Sequence, residues 1–486
     1  MTDNNLVAAL SAKDESIARF GLQSISPDDG KYAKDSQPLV PFLSAEADWM
    51  MCANVQLRLL ETRAEFGKAK QRHVEEVRSA VRMFDPLNAA LLEDKLKHDQ
   101  LAVIEELGRY ISPETKALLH PGTTSYDILD TARTYLLRQA WKTAMRPKVT
   151  EFISKLCDRA EEYVDLAQAG RTHLQLTSPV TFGQFLSNYA RRLAERVQKA
   201  DAAFGDLRGK ISGIVGTGAS IDAVIGEGQS LDFERAVLEK FNLEPDFTAT
   251  QITARERMTD VGHATVTLIR VLGCLAEDLC ILYSSEIGEV VSLSSQARLG
   301  GSSADAGKDN PVNWENISGK VVVVESGMRV CYAQMDSKLQ RDLRNSVQAR
   351  YQPAGMLAET YESFSRGTKA LDELTANPGA MARNLQRVRD RPTEAMTAIL
   401  RASGWVHPKH GVGHDAVKVY ARQARKDGAT LLVTARNDPE FELAYQQLPT
   451  QHQRTLNGEL EQYLGSAKDR ARHNIDYARS AIGVNR

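Results

Sequence analysis

The stretch from Thr259 to Leu293 reads TDVGHATVTLIRVLGCLAEDLCILYSSEIGEVVSL. Its leucines, valines and isoleucines recur at three- and four-residue intervals, the period of a helix with one apolar face. The run is too long for an ordinary globular helix. Its most apolar part, Ala264 to Leu282, is interrupted by Arg270, Glu277 and Asp278, which makes it a helix buried in protein and not a membrane span. Two more long helices are predicted on the same grounds. One runs from Asp130 to Gln168, with Pro147 as its only breaker and so the place of a kink or break. The other runs from Leu186 to Lys210. Long helices bury their apolar stripes against one another in bundles, so the expected fold is all-α, a long-helix bundle.

A chain of 486 residues is long enough for a large core and for two or three domains. The loop at Pro121 and the change after Arg366 to shorter helices with Gly and Pro set the expected divisions. These are an N-terminal helical domain over 1–122, a central bundle over 123–365 and a C-terminal helical domain over 366–486. Charged residues make up 26% of the chain, and the formal net charge is -2. Nothing in that balance draws the chain to nucleic acid or to a membrane, so any anion must be bound by a local site. Cys52, Cys157, Cys274, Cys280 and Cys331 are odd in number and contain no CxxC pair, which fits a reducing compartment. The opening MTDNNLVAAL lacks the regions of a signal peptide, and a cytoplasmic location is expected.

Between the long helices lie short runs rich in Gly, Ser and Thr: Pro121 to Ser125, Gly213 to Ser220 and Leu299 to Pro311. Loops on a rigid scaffold are where chemistry is usually placed. Three segments stand out. The first is His120-Pro-Gly-Thr-Thr-Ser-Tyr-Asp127, the second Gly170-Arg-Thr-His-Leu-Gln175 with Pro179 and Thr181-Phe-Gly183, and the third Gly301-Ser-Ser-Ala-Asp-Ala-Gly-Lys308-Asp-Asn-Pro311. In this order and at these separations they resemble the three signature regions of the fumarase and aspartase superfamily. Asp29-Gly-Lys-Tyr32, His98-Asp99 and Gln340-Arg-Asp-Leu-Arg-Asn-Ser346 with Arg350 narrow the resemblance to the adenylosuccinate lyases. It covers most of the chain and thins after about residue 400.

The resemblance implies a carbon–nitrogen lyase that cleaves adenylosuccinate to AMP and fumarate in purine nucleotide biosynthesis, and SAICAR as a second substrate. Such chemistry needs a base beside a carboxylate, donors for the charge that develops, and an acid for the leaving nitrogen. By resemblance Ser302 is the base, stabilised as an alkoxide by Lys308 and the loop's N–H groups, although an isolated Gly-Ser-Ser is a plain flexible loop. His173 is the expected acid, with Glu315 orienting it. His98, Asp99, His120, Gln251 and Asn310 match substrate-binding positions, and Thr124 with Ser125 matches the pair that holds a substrate carboxylate. Arg341, Ser346 and Arg350 stand where the family binds a phosphate, though from spacing alone they read equally as a solvated basic face. Lys31 and Tyr32 stand where the family has Arg-Tyr, so a point-like ammonium replaces a fork.

The chain departs from the family in the third segment, where Asp305-Ala306 replaces Met-Pro. Two other patterns carry no assigned chemistry. Gly213-Ile-Val-Gly216-Thr-Gly218 lacks the preceding strand and following Lys-Ser of a phosphate loop. His407, His410 and His414 lie among Pro408, Gly411 and Gly413 without a Cys companion, so no metal and no cofactor are expected. The expected partner is a small nucleotide substrate, and the family's assembly is a homotetramer with shared active sites. A carboxymuconate cycloisomerase-like or other superfamily lyase is the alternative. Another class of alternative is a catalytically silent nucleotide-binding or structural relative.

Overall fold

The computed structural model describes residues 23–292, 310–459 and 463–484. These fall into two compact units, one formed by Met1–Thr150, Arg196–Arg270 and Gly319–Ser365, the other by Glu151–Glu195, Val271–Ser318 and Arg366–Arg486. The fold is helical as the periodicity requires. Its principal helices are α1 (Ala45–Glu65), α2 (Ser125–Ala140), α3 (Arg146–Glu162), α4 (Phe182–Gly205), α5 (Glu256–Tyr283), α6 (Val312–Gln334) and α7 (Ala354–Glu373). Three two-stranded antiparallel ribbons are added among the described residues: β1 (Ala167–Thr172) with β2 (Gln175–Thr181), β3 (Val290–Ser292) with β4 (Leu374–Ala376), and β5 (Val406–His407) with β6 (Gly411–Val412).

The long-helix expectations hold in kind and shift in extent. The helix predicted over Asp130 to Gln168 is α2 and α3, joined by a π turn over Trp141–Met145 in which the Arg146 N–H reaches back to Trp141 O. Pro147 lacks a donor and its ring crowds the carbonyl four residues earlier, and the wider turn just before it absorbs that mismatch. Asp201 fixes the turn by accepting from Trp141 Nε1 at 2.8 Å and Arg146 Nε at 2.9 Å. The helix ends at Glu162, not Gln168, because Gln168 belongs to strand β1. The helix expected over Thr259 to Leu293 stops at Tyr283. The turn at Ser284–Gly288, where Gly288 has φ 59, ends it, and the β-branched Val290 and Val291 then pair with Ala376 and Thr375.

In the first unit α1 supplies the centre of the core. Val55, Leu59 and Leu60 are fully buried and join Val74, Val77, Leu107, Ile128, Phe233 and Val237 in one cluster. Each such side chain contributes about 1.5–3 kcal/mol by leaving water. A separate cluster of Ile269, Val321, Val324, Met328, Cys331 and Met356 binds α5, α6 and α7 within the same unit. In the second unit Met396, Leu400, Val417, Tyr420 and Phe441 form one core, and Ala169, Leu385 and Val388 form a smaller one beneath the β1–β2 ribbon.

One buried ion pair organises the loops of the first unit. Asp127 and Lys210 are both inaccessible to solvent. The Asp127 carboxylate accepts from Lys210 Nζ, from the Ser212 N–H at 3.0 Å and from the Gly213 N–H at 3.2 Å. It also accepts from the Thr124 N–H at 2.7 Å, closing a capping box at the start of α2. The two amides that open the glycine-rich stretch, those of Ser212 and Gly213, therefore go to an internal carboxylate.

Removing one member of a buried pair leaves the other as an uncompensated charge. Lys210→Ala is expected to lower the unfolding free energy by about 3–5 kcal/mol, read from urea denaturation. A loss below about 1 kcal/mol would mean that the backbone N–H groups alone satisfy Asp127.

Candidate active site

Several residues that lie far apart in sequence meet at the start of α2. Thr124 is its N-cap and Ser125 its first residue, so both stand at the helix end whose free N–H groups favour an anion. His98 caps the helix Asp99–Gly108: its Nδ1 accepts the Leu101 N–H at 3.3 Å. The neutral ring then carries its proton on Nε2, which lies 3.5 Å from Ser125 Oγ. His98 Nδ1 is also 3.7 Å from Asp99 Oδ1.

His120 sits in the left-handed region at φ 70, a conformation that costs a non-glycine residue about 1–3 kcal/mol. Arg63 holds the loop there by donating to Leu118 O at 2.6 Å and Pro121 O at 2.5 Å. The buried Gln56 amide donates to His120 Nδ1 at 3.0 Å, which leaves the ring proton on Nε2. Burial, and then the charge of Arg63, push His120 down to about 4. At pH 7 the ring is neutral, with an Nε2–H to donate. Neither Gln56 nor Arg63 carried a signal in the sequence, because each reaches the loop from about sixty residues away along the chain.

Arg341 completes this group. Its guanidinium lies 3.9 Å from the centre of the Tyr126 ring and donates to Gln251 Oε1 at 3.3 Å, while Gln251 Nε2 donates to Thr124 Oγ1 at 3.4 Å. Arg341 Nε is buried without a partner, and no carboxylate pairs with this arginine among the described residues. The arrangement is a planar cation held by an aromatic face and a neutral amide, with donors to spare for an anion.

Ser346, Arg350 and Lys31 share no hydrogen bond with this cluster among the described residues. Ser346 lies within the short helix Arg344–Ala349 and Arg350 is its C-cap, while Arg341 precedes it. Arg350 and Asp99 line a cavity of about 510 Å³ beside the ion pairs Arg133–Asp48 and Arg255–Asp130. Lys31 is exposed, and the Tyr32 ring lies 3.9 Å from Lys320 Nζ. Lys320 is paired with Glu359 and Glu362, and Glu362 also accepts from Ser36. This group was not legible in the sequence, since its acids and its lysine lie on α6 and α7.

In the second unit His173 and Leu174 form the two-residue turn between β1 and β2, both with positive φ, 52 and 58. That is the I′ hairpin geometry usually given to Asn-Gly, and two non-glycine residues hold it at a cost of about 1–3 kcal/mol each. His173 is exposed. Glu315 is exposed in the first turn of α6, and Asn310 lies just before that helix. Among the described residues His173 and Glu315 share no hydrogen bond. Ser302 and Lys308 lie outside the described residues, as do Asp305 and Ala306.

The histidines of the C-terminal region do have an acidic companion, which the local sequence does not reveal. Asp438 accepts from His407 Nε2 at 2.9 Å and from Tyr420 at 3.0 Å. His407 Nδ1 accepts the N–H groups of Lys409 and His410, and the His407 and His410 rings stack at 4.4 Å. Both His407 nitrogens are thus engaged within the protein, the pattern of a structural histidine. His414 is not part of the group.

A family model described as lyase matches residues 42–325. The adenylosuccinate lyase of Bacillus subtilis is 30% identical over 335 residues, which is 68% of this chain and 75% of the relative. That of Archaeoglobus fulgidus is 25% identical over 88% of this chain and 93% of the relative. Two solved structures share the fold. A fumarate lyase from Mesorhizobium sp. BNC1 superposes with a TM-score of 0.76 at 23% identity, covering 90% of this chain and 97% of that one. The 3-carboxy-cis,cis-muconate lactonizing enzyme from Pseudomonas putida reaches 0.79 at 20% identity, covering 91% and 97%.

The acids around Tyr32 give the N-terminal segment a pH response. Burial, and then the Glu359 carboxylate, push Asp28 up to about 7, with Glu362 adding to the rise and Lys320 opposing it. Between about pH 4 and 7 the folded chain therefore keeps a proton that the unfolded chain has lost, and stability falls as pH rises through that window. Asp28→Asn is expected to raise the melting temperature at pH 8 relative to the parent, with the gain shrinking toward pH 4. Thermal unfolding across this range checks it, and a gain of equal size at both ends would put the effect elsewhere than on the Asp28 proton.

Proposed function

The chain belongs to the lyase family that includes the adenylosuccinate lyases and is itself a carbon–nitrogen lyase, and on that premise we propose that it cleaves adenylosuccinate to AMP and fumarate. SAICAR, cleaved to AICAR and fumarate, is the second substrate of this reading, and purine nucleotide biosynthesis its setting. The observation that carries it is Arg341, a guanidinium with unfilled donors tied through Gln251 to the start of α2. An anionic nucleotide with a succinyl group needs both a phosphate grip and a carboxylate grip. Arg341 with Ser346 and Arg350 supplies the first in this reading, and Thr124 with Ser125 the second.

The elimination has two proton movements. A base, assigned to Ser302 with Lys308 beside it, takes the proton from the carbon next to the succinyl carboxylate. The electron pair spreads onto that carboxylate, where the Thr124 and Ser125 hydroxyls and the N–H groups at the start of α2 stabilise it. The pair then forms the double bond of fumarate as the carbon–nitrogen bond breaks, and His173, assisted by Glu315, protonates the leaving nitrogen. Neutral His120 donates through Nε2 to a substrate oxygen, His98 offers its Nε2 beside Ser125, Lys31 and Tyr32 add to the phosphate side, and Asn310 to the carboxylate side.

The reading includes a homotetramer with shared sites. His173 is exposed on a strained turn and, among the described residues, bonds to none of the other assigned ones, which is what a residue contributed to a neighbouring chain's site would do. No helix among the described residues is long and apolar enough to cross a membrane. A cycloisomerase reaction is the competing reading, and its substrate carries no phosphate for Arg341.

Incubation with adenylosuccinate is expected to release fumarate, followed by its absorbance. His173→Ala and Ser302→Ala should each lower turnover by at least about 100-fold, the scale of a lost acid or base, with Ser303→Ala milder. Near-normal turnover in both of the first two variants would refute the assigned chemistry.

Arg341→Ala is expected to weaken nucleotide binding by about 2–3 kcal/mol, the loss of a charge-assisted hydrogen bond, with a smaller effect on turnover at saturation. Calorimetry with AMP measures the first. Unchanged affinity in both Arg341→Ala and Arg350→Ala would remove the nucleotide and favour the cycloisomerase reading.

A further inference from the structure

The hairpin that carries His173 is anchored by a residue that no motif contains. Glu289 is fully buried, and each of its carboxylate oxygens accepts two hydrogen bonds. Oε1 accepts from Arg171 Nη2 at 2.7 Å and Asn384 Nδ2 at 2.8 Å, and Oε2 from Gln168 Nε2 at 2.7 Å and Arg171 Nη1 at 3.1 Å. Two of the three donor residues, Gln168 and Arg171, lie on β1, the strand that leads into the turn. The backbone of Glu289 is fixed as well, since its N–H donates to Leu282 O at 3.0 Å and its carbonyl accepts the Asn377 N–H at 2.8 Å.

A buried ion pair is often no more stabilising than apolar residues of the same size, so stability alone does not account for this one. What the fork does is fix Arg171, two residues before His173. The same strand is already irregular, because the register shifts between Ala169 and Arg171 and a Cβ at Gly170 would collide with the Ser178 carbonyl. A strand with a shifted register, ending in two residues of unfavourable φ, relaxes readily to another turn unless something outside it holds it.

We propose that Glu289 is a positioning residue for His173: through the Arg171 fork and Gln168 it holds β1 in the register that presents the imidazole at the turn. This rests on the reading of His173 as the acid. Glu289→Gln puts an amide donor against Arg171, Asn384 or Gln168 and breaks the fork while keeping the volume.

The test is a double-mutant cycle with adenylosuccinate as substrate, joined to limited trypsinolysis after Arg171. Glu289→Gln is expected to lower kcat at least about tenfold with KM little changed, and to add no further loss in a His173→Ala background, because both changes remove the same proton transfer. Trypsin cleavage after Arg171 is expected to be at least about tenfold faster in Glu289→Gln, a readout that needs no turnover. If Glu289→Gln does not fold, Arg171→Lys keeps the buried charge paired, loses the fork and takes its place, with cleavage read at the same peptide bond, which trypsin also accepts after lysine. A loss that is equal in both backgrounds, or that appears in KM, or an unchanged cleavage rate, overturns the proposal. Normal turnover in His173→Ala itself would instead sink the acid assignment and, with it, this one.

Discussion

The Asp127 carboxylate is the constraint on which the first unit's loops depend. It is out of contact with water, and a carboxylate there is tolerable only when its charge and its lone pairs are all answered. Lys210 answers the charge, and the N–H groups of Thr124, Ser212 and Gly213 answer the lone pairs. Those groups come from two stretches more than eighty residues apart, so satisfying one side chain brings together the start of α2 and the glycine-rich turn. Thr124 and Ser125 owe their place at a helix N-terminus to this arrangement, and Gln251 and Arg341 are in turn referred to Thr124.

The second unit repeats the device with Glu289 and Arg171. In both units a buried acid and a buried or nearly buried base fix irregular backbone beside a residue assigned to chemistry. In both, the backbone near that residue is strained, at His120 in one unit and at His173 and Leu174 in the other. Left-handed backbone at histidine persists only where the surroundings over-determine it. Arg63 does this for the His120 loop by donating to two of its carbonyls, and Glu289 does it for the hairpin.

The fold itself leaves the reaction open within the superfamily. The chain superposes on a muconate lactonizing enzyme as closely as on a fumarate lyase, which is expected where one helical scaffold carries several chemistries on its loops. Substrate choice therefore rests on individual side chains. Arg341, whose Nε is buried without a partner, and His120, held neutral by burial, are two such side chains.

By itself the sequence determined the helical architecture, because a 3.6-residue apolar period is a local property that survives in any window long enough to show it. It also determined the family, through three short segments, in one of which the residue type has a visible backbone reason, since a Cβ at Gly170 would meet the Ser178 carbonyl. The ends of the long helices were decided by partners in space. Val290 and Val291 leave α5's path because Thr375 and Ala376 offer a ladder, and Gln168 belongs to a strand because β2 returns beside it. The same holds for the site. That His98 faces Ser125, that Gln56 fixes the tautomer of His120, that Asp438 stands beside His407, and that Glu289 anchors the hairpin of His173 are pairings across 27, 64, 31 and 118 residues of chain. Nothing local records them, since a hydrogen bond or ion pair depends on where two side chains meet and not on their separation in sequence.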